Sequence, residues 1–167
     1  MLRRLTDADD ILLWASDDRV TRTIRWDTLT TKEEAYNFIK EVCIPKPWHV
    51  SICIDDLSIG FLWVIYPSWS DGLHDIEAAD IGYAIAVEYW EQGIATKALK
   101  MAIPQVFNDF SGIVKLEAYS VLENKASRRV LEKAGFNSQR SLTFHGDFKG
   151  YKNKVDVVVY KLLSTNI

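Results

Sequence analysis

Val87-Glu88-Tyr89-Trp90-Glu91-Gln92-Gly93-Ile94-Ala95-Thr96 is the stretch on which the reading of this chain turns. An apolar run, Ile76 to Val87, ends in it, and a long helical pattern leaves it. Within the run, Ile81, Tyr83, Ile85 and Val87 point one way and Gly82, Ala84 and Ala86 the other, the two-residue period of a strand. A face of small residues lets a helix, another backbone or a ligand come close. Beyond Gln92, Ala95, Ala98, Leu99, Ala102, Ile103, Val106 and Phe110 recur at helical spacing, and Pro104 is expected to kink that helix. The first amides of a helix have no partner inside it and sit at the positive end of its dipole. Gly93 and Ala95 lack bulk, so a pyrophosphate can approach the chain there, and Thr96 adds a hydroxyl. An ordinary strand-to-helix joint packed with small residues has the same pattern, and Gly-x-Ala alone is weak evidence for either.

Outward from this stretch the chain alternates strands and helices. Downstream, Ile113 to Val121 reads as a strand and Asn124 to Ala134 as a short helix, with Gly135 as its left-handed stop. Asn124 and Ser127 lie three apart at that helix start; the plain reading is a cap and its bonding partner. Runs at Phe136–Phe144 and Val155–Leu163 read as two further strands. Upstream, Leu2–Leu5 is extended, and Ala8, Ile11, Leu12 and Ala15 mark a helix capped by Thr6 or Asp7. Arg19 to Leu29 reads as loop. Thr31 with Glu34 forms a capping box for a helix burying Ala35, Phe38, Ile39 and Val42, which Pro45 and Pro47 end. The runs His49–Ile54 and Ile59–Tyr66 flank Asp55 and Asp56 as a hairpin, and Pro67–Asp75 is a loop. The order is that of an α/β protein with a mixed sheet, parallel where a helix separates strands.

Composition narrows the function classes. The 167 residues fit one domain, residues 1–167, and the 48% hydrophobic content supplies a core without metal or disulfide staples. A net charge of −3 argues against a nucleic-acid-coating protein. Cys43 and Cys53 read as buried free thiols of a reducing compartment, and the scattered His49, His74 and His145 do not form a metal site. The start of the chain carries no apolar leader, and no run is long enough to span a bilayer, so a soluble cytoplasmic protein without a membrane partner is expected.

Three motifs in order resemble a known superfamily. They are Ile81-Gly82-Tyr83, then Glu88-Tyr89-Trp90 with Gly93-Ile94-Ala95-Thr96 and Ala98-Leu99, then Asn124, Ser127, Arg129-Val130-Leu131-Glu132-Lys133 and Gly135-Phe136. Together they resemble the GNAT N-acetyltransferases, nearest the Rim-type branch that acetylates N-termini of ribosomal proteins. Leu2-Arg3 with Asp9, and Asp156 with Tyr160-x-Leu162-Leu163, look like that branch as well. The resemblance covers nearly the whole chain. It implies a GNAT fold, a splayed mixed sheet of about six to seven strands flanked by about four helices. It also implies acetyl-CoA as co-substrate, lying in a V-shaped opening between the two central strands. The amides of Gln92, Gly93, Ile94, Ala95 and Thr96 would hold its pyrophosphate, with Arg129 or Arg128 attracting phosphate. The Val87 backbone and Asn124 would hold its pantetheine arm. Two positions depart from the common pattern: Trp90 replaces Arg or Gln, and Glu91 replaces Gly. A carboxylate close to a pyrophosphate is unfavourable, so Glu91 is expected to point to solvent.

Transfer of an acetyl group to an amine needs a proton acceptor for the ammonium and a donor for the departing thiolate. By the same resemblance Asp80 is the candidate base, with Glu77 in reserve, and Ser127 the candidate donor, with Tyr119 as the alternative. A solvated strand-end carboxylate and a helix-start serine are the plain structural roles for Asp80 and Ser127. The loop Ser68–Asp75 and the first two helices would wall the acceptor site, with Trp26, Trp69, Asp71, His74 and Asp75 shaping it. The expected acceptor is an amine on a protein or peptide N-terminus or lysine. A small amine such as a polyamine or aminoglycoside is the near alternative, and a non-catalytic acyl-CoA sensor the distant one.

Overall fold

The computed structural model describes residues 1–4, 7–24, 26–68, 74–145 and 154–167. Among these residues seven strands are hydrogen-bonded in the order β1-β2-β3-β4-β5-β7-β6. They are β1 (Leu2–Arg4), β2 (His49–Ile54), β3 (Leu57–Ile65), β4 (Ala78–Ile85), β5 (Lys115–Val121), β6 (Asn137–His145) and β7 (Lys154–Leu163). The helices are α1 (Ala8–Ala15), α2 (Asp18–Thr21), α3 (Lys32–Phe38), α4 (Ile94–Asp109) and α5 (Lys125–Lys133). The expected mixed α/β architecture is therefore present. The chain divides into two compact units, Met1–Trp63 with Tyr83–Ala98, and Val64–Gly82 with Leu99–Ile167.

In the first unit, local signals set most of the elements. Asp7 caps α1 by accepting from the Asp9 amide at 2.8 Å, which decides between the two cap candidates. At α3 the capping box forms in both directions between Thr31 and Glu34. Three hydrogen bonds, from the Thr30 and Thr31 amides and the Thr30 hydroxyl, hold the Glu34 carboxyl below its ordinary value. The helix continues through a wider turn over Ile39–Cys43 before the prolines end it. The Arg19–Leu29 loop assignment needs correction, because α2 occupies Asp18–Thr21. Asp17 caps it, accepting from the Arg19 amide at 2.8 Å. Asp55 and Asp56 take φ values of 45° and 67°, the left-handed pair that tight hairpin turns require, and β2 and β3 pair antiparallel around them.

The core of this unit joins Ile11 and Trp14 of α1 and Phe38 and Ile39 of the α3 segment to Phe61 of β3, Ala84 of β4 and Ala86 just past it. Trp14 stacks on Phe61 with centroids 5.5 Å apart. Trp26 meets Phe38, Phe61 and Trp63 edge-on. Gly60 is fixed by contact: a Cβ there would lie 2.4 Å from the Ala84 carbonyl oxygen. Only glycine lets the two strand backbones approach so closely.

In the second unit, β5 is central. All seven of its residues pair antiparallel with β7, from Lys115↔Leu163 to Val121↔Val157. On its other edge the parallel ladder with β4 runs through Ala78↔Lys115, Ala79↔Leu116 and Asp80↔Glu117. The strand expected from Ile76 to Val87 is shorter at both ends. Ile76 is exposed, and Val87 already belongs to a tight turn. Leu99, Ala102, Ile103 and Val106 of α4 are buried, as the helical stripe requires. The α4 helix runs on past Pro104 to Asp109. Gly135, with φ 101°, follows α5 as its stop.

Candidate functional site

The turn after β4 lies in the first unit. Val87–Tyr89 makes one tight helical turn, closed by the Trp90 amide on the Val87 carbonyl at 3.1 Å. The Trp90 indole N–H reaches back to the Ile85 carbonyl at 2.8 Å. The Gln92 side-chain amide donates to the Glu88 carbonyl at 2.9 Å. Trp90 thus staples the turn to the strand it leaves. Glu91 is exposed with φ 61°, and Gly93 takes φ 75°. Two left-handed residues flanking Gln92 make the chain double back before the helix. The first bond into α4 runs from the Lys97 amide to the Gly93 carbonyl at 3.1 Å. By helix geometry the amides of Ile94, Ala95 and Thr96 have no carbonyl one turn behind them inside the helix.

Space at this turn decides whether an anion fits. A Cβ built on Gly93 would meet no atom within 4 Å. Gly93 is exposed, and Ile94, Ala95 and Thr96 are half-buried. The turn is open, its amides lie at the positive end of a 16-residue helix, and the nearby carboxylate, Glu91, is solvent-exposed. These features fit a diphosphate group.

The candidate chemistry-bearing residues lie in the second unit. Asp80 is 6% exposed and accepts from the Ser68 hydroxyl at 2.6 Å. A solvated strand-end carboxylate is therefore not what stands there. Glu77, the reserve base, is exposed. Beside Asp80, in register on β5, stands Glu117, 5% exposed. Glu117 accepts from the Tyr119 hydroxyl at 3.3 Å and has the Lys115 ammonium 3.8 Å away. Lys115 lies closer to Asp75, at 2.7 Å. That contact holds the Asp75 carboxyl low and the Lys115 ammonium high. The sequence reading missed Glu117 and the bonding role of Ser68. The available signal was a charged residue inside the apolar strand Leu116-Glu117-Ala118, two positions from Tyr119.

At α5 the Asn124 side chain accepts from the Ser127 amide at 3.0 Å, so the capping relation is present and both residues are half-buried. Arg128 bonds Tyr160 at 3.1 Å and the Leu122 carbonyl at 3.3 Å. Arg129 is exposed and paired with Glu132 at 3.3 Å. Of the residues expected to wall the acceptor site, Trp69 and Asp71 lie outside the described residues, His74 is exposed, and Trp26 belongs to the aromatic core of the first unit. Cys43 and Cys53 are buried free thiols, and burial pushes Cys43 up to about 12. Among the described residues no group of three or more potential metal ligands comes together, and no helix is long and apolar enough to cross a membrane.

A mixed sheet with an open, glycine-bearing turn between a strand and a long helix is the kind of α/β fold that offers an anion site at a helix start. The chain belongs to the acetyltransferase (GNAT) domain family, whose pattern matches residues 1–137. It is 26% identical over 151 residues to the uncharacterized N-acetyltransferase YoaA of Bacillus subtilis, covering 83% of this chain and 80% of that protein. Its fold matches a GNAT-family acetyltransferase from Bacillus anthracis with a TM-score of 0.78 and 20% identity, over 97% of this chain and 93% of that one. It also matches spermidine N-acetyltransferase from Vibrio cholerae, solved with CoA and spermine, with a TM-score of 0.78 and 16% identity, over 99% and 96%.

Proposed function

We propose that this acetyltransferase takes its acetyl group from acetyl-CoA and passes it to a primary amine by direct attack in a ternary complex. The observation that carries the reading is the open turn at Gln92–Thr96, with empty space over Gly93 and helix-start amides beside it. In this reading the amides of Gln92, Gly93, Ile94, Ala95 and Thr96 hold the pyrophosphate, with Arg129 at the phosphate end. The Val87 backbone and Asn124 hold the pantetheine arm. The amine nitrogen forms a bond to the thioester carbonyl carbon and the carbon–sulfur bond breaks. Asp80 receives the ammonium proton, and the Ser127 hydroxyl, or that of Tyr119, donates to the departing sulfur. Burial of Asp80 with a hydroxyl partner supports a held, functional carboxylate over a surface one.

The chain is taken to act as one domain over residues 1–167, close to the Rim-type branch, on the strength of the motifs around Trp90 and Asn124. The buried free thiols suit a reducing compartment such as the cytoplasm. The preferred acceptor is a protein or peptide N-terminus or lysine. The test is thiol release from acetyl-CoA against a panel of peptides, lysine-bearing proteins, polyamines and aminoglycosides, with mass spectrometry of the products. An acetylated peptide amine is the expected result. Acetylation of small amines alone would move the acceptor class, and cofactor binding without turnover of any amine would leave a sensor in place of an enzyme.

A further inference from the structure

Glu117 stands in an unusual position for a carboxylate. It is almost fully buried on a central strand, with Asp80, also buried, as its register partner on β4. Register partners on adjacent strands project from the same face about 5 Å apart. Two carboxylates so placed repel, and burial makes each charge costly.

Cations as well as Asp80 face Glu117, and they offset part of that cost. On its own strand are Lys115 and Tyr119, on β4 is Asp80, and on β7 the register partner is Lys161, while Asp75, ahead of β4, pairs with Lys115. Lys115 makes its short contact with Asp75 at 2.7 Å and stands 3.8 Å from Glu117. A glutamine would accept the Tyr119 hydroxyl as well as a glutamate does. Lys115, paired with Glu117 at 3.8 Å, and Lys161 across from it are the cations that accompany its negative charge.

We propose that Glu117 is a positioning residue for acetyl transfer, its charge acting through Asp80 to keep that carboxylate a competent proton acceptor while its Oε2 holds the Tyr119 hydroxyl. The inference rests on the reading of Asp80 as the base. A proton arriving at Asp80 relieves repulsion with Glu117, so the pair draws a proton from an ammonium more strongly than Asp80 alone. Ser68, bonded to Asp80 at 2.6 Å, holds the accepting carboxylate in place.

The experiment compares wild type with Glu117→Gln, which keeps shape and removes charge, and Glu117→Asp, which keeps charge. Asp80 protonation is followed by carbon-13 NMR of labelled aspartate, and kcat/KM for an alkyl amine is measured over the same pH range. In Glu117→Gln the Asp80 midpoint and the acid limb of kcat/KM both move to lower pH by about one unit, and Glu117→Asp restores them. Glu117→Ser, smaller and neutral, gives the same shift where the glutamine variant does not fold. An Asp80 midpoint unchanged in the neutral variants overturns the inference, whatever the activity. A midpoint that moves in a protein that turns over no amine upholds the coupling and refutes the catalytic reading of the site.

Discussion

His49 offers a stability prediction with a definite sign. It is 3% exposed on β2, edge-on to Phe61 and Trp26, and neither ring nitrogen has a hydrogen-bond partner among the described residues. Burial, with a smaller contribution from the Lys46 charge, lowers it from 6.5 to about 4. Above pH 6.5 both folded and unfolded chains hold a neutral imidazole and the effect vanishes. As pH falls through the window the unfolded chain takes up a proton that the folded chain refuses, so stability falls. One pH unit is worth about 1.4 kcal/mol. Between pH 7 and pH 5 the expected loss is about 2 kcal/mol, and below the folded value it reaches at most about 3 kcal/mol. Most carboxylates stay ionised down to about pH 5, so this window belongs mainly to histidine. The assay is urea unfolding followed by tryptophan fluorescence, for wild type and His49→Phe, at steps from pH 7 to pH 5. The variant removes two unpaired ring nitrogens from the core, so it holds or gains stability at pH 7. Its stability advantage grows by about 2 kcal/mol on descending to pH 5. An advantage independent of pH would refute the assignment of a neutral, proton-refusing His49.

Other perturbations address the fold and the site. Asp80→Asn lowers turnover about 100-fold with acetyl-CoA affinity kept; full activity excludes Asp80 as the base. Gly60→Ala forces a Cβ against the Ala84 carbonyl and destabilises by about 3 kcal/mol, read as a lower unfolding midpoint; an unchanged midpoint would mean the strands separate freely there. Gly93→Trp fills the open space at the turn and abolishes acetyl-CoA binding in calorimetry. It costs about 1–2 kcal/mol of stability for a side chain at φ 75°, so folding is checked by circular dichroism, and unchanged affinity in the folded variant removes the site.

Elements whose signals are local were legible from the residues alone. Thr31 with Glu34, the Asp55-Asp56 turn and Gly135 each act within a few residues, and each stands where the spacing placed it. The strand-to-helix turn was legible for the same reason. Helix α2 escaped because four residues carry no periodicity; its one signal is the cap Asp17, a residue type that also starts loops. The ends of β4 were overdrawn because an apolar pattern continues through Ile76 and Val87 although their backbones leave the strand. The pairing of Asp80 with Glu117 is a contact between strands separated by helix α4. Register of that kind depends on how β4 and β5 align, which no local pattern encodes. Burial of Asp80 and His49 likewise depends on distant residues packing over them.

The central claim is that a diphosphate settles on the amides at the start of α4. Amide resonances of the labelled protein, recorded during titration with acetyl-CoA, test it most directly. The largest shifts are expected at Gly93, Ile94, Ala95 and Thr96, saturating together with a single affinity. Saturable binding that leaves these four amides in place while shifting others, or no binding at all, would contradict it.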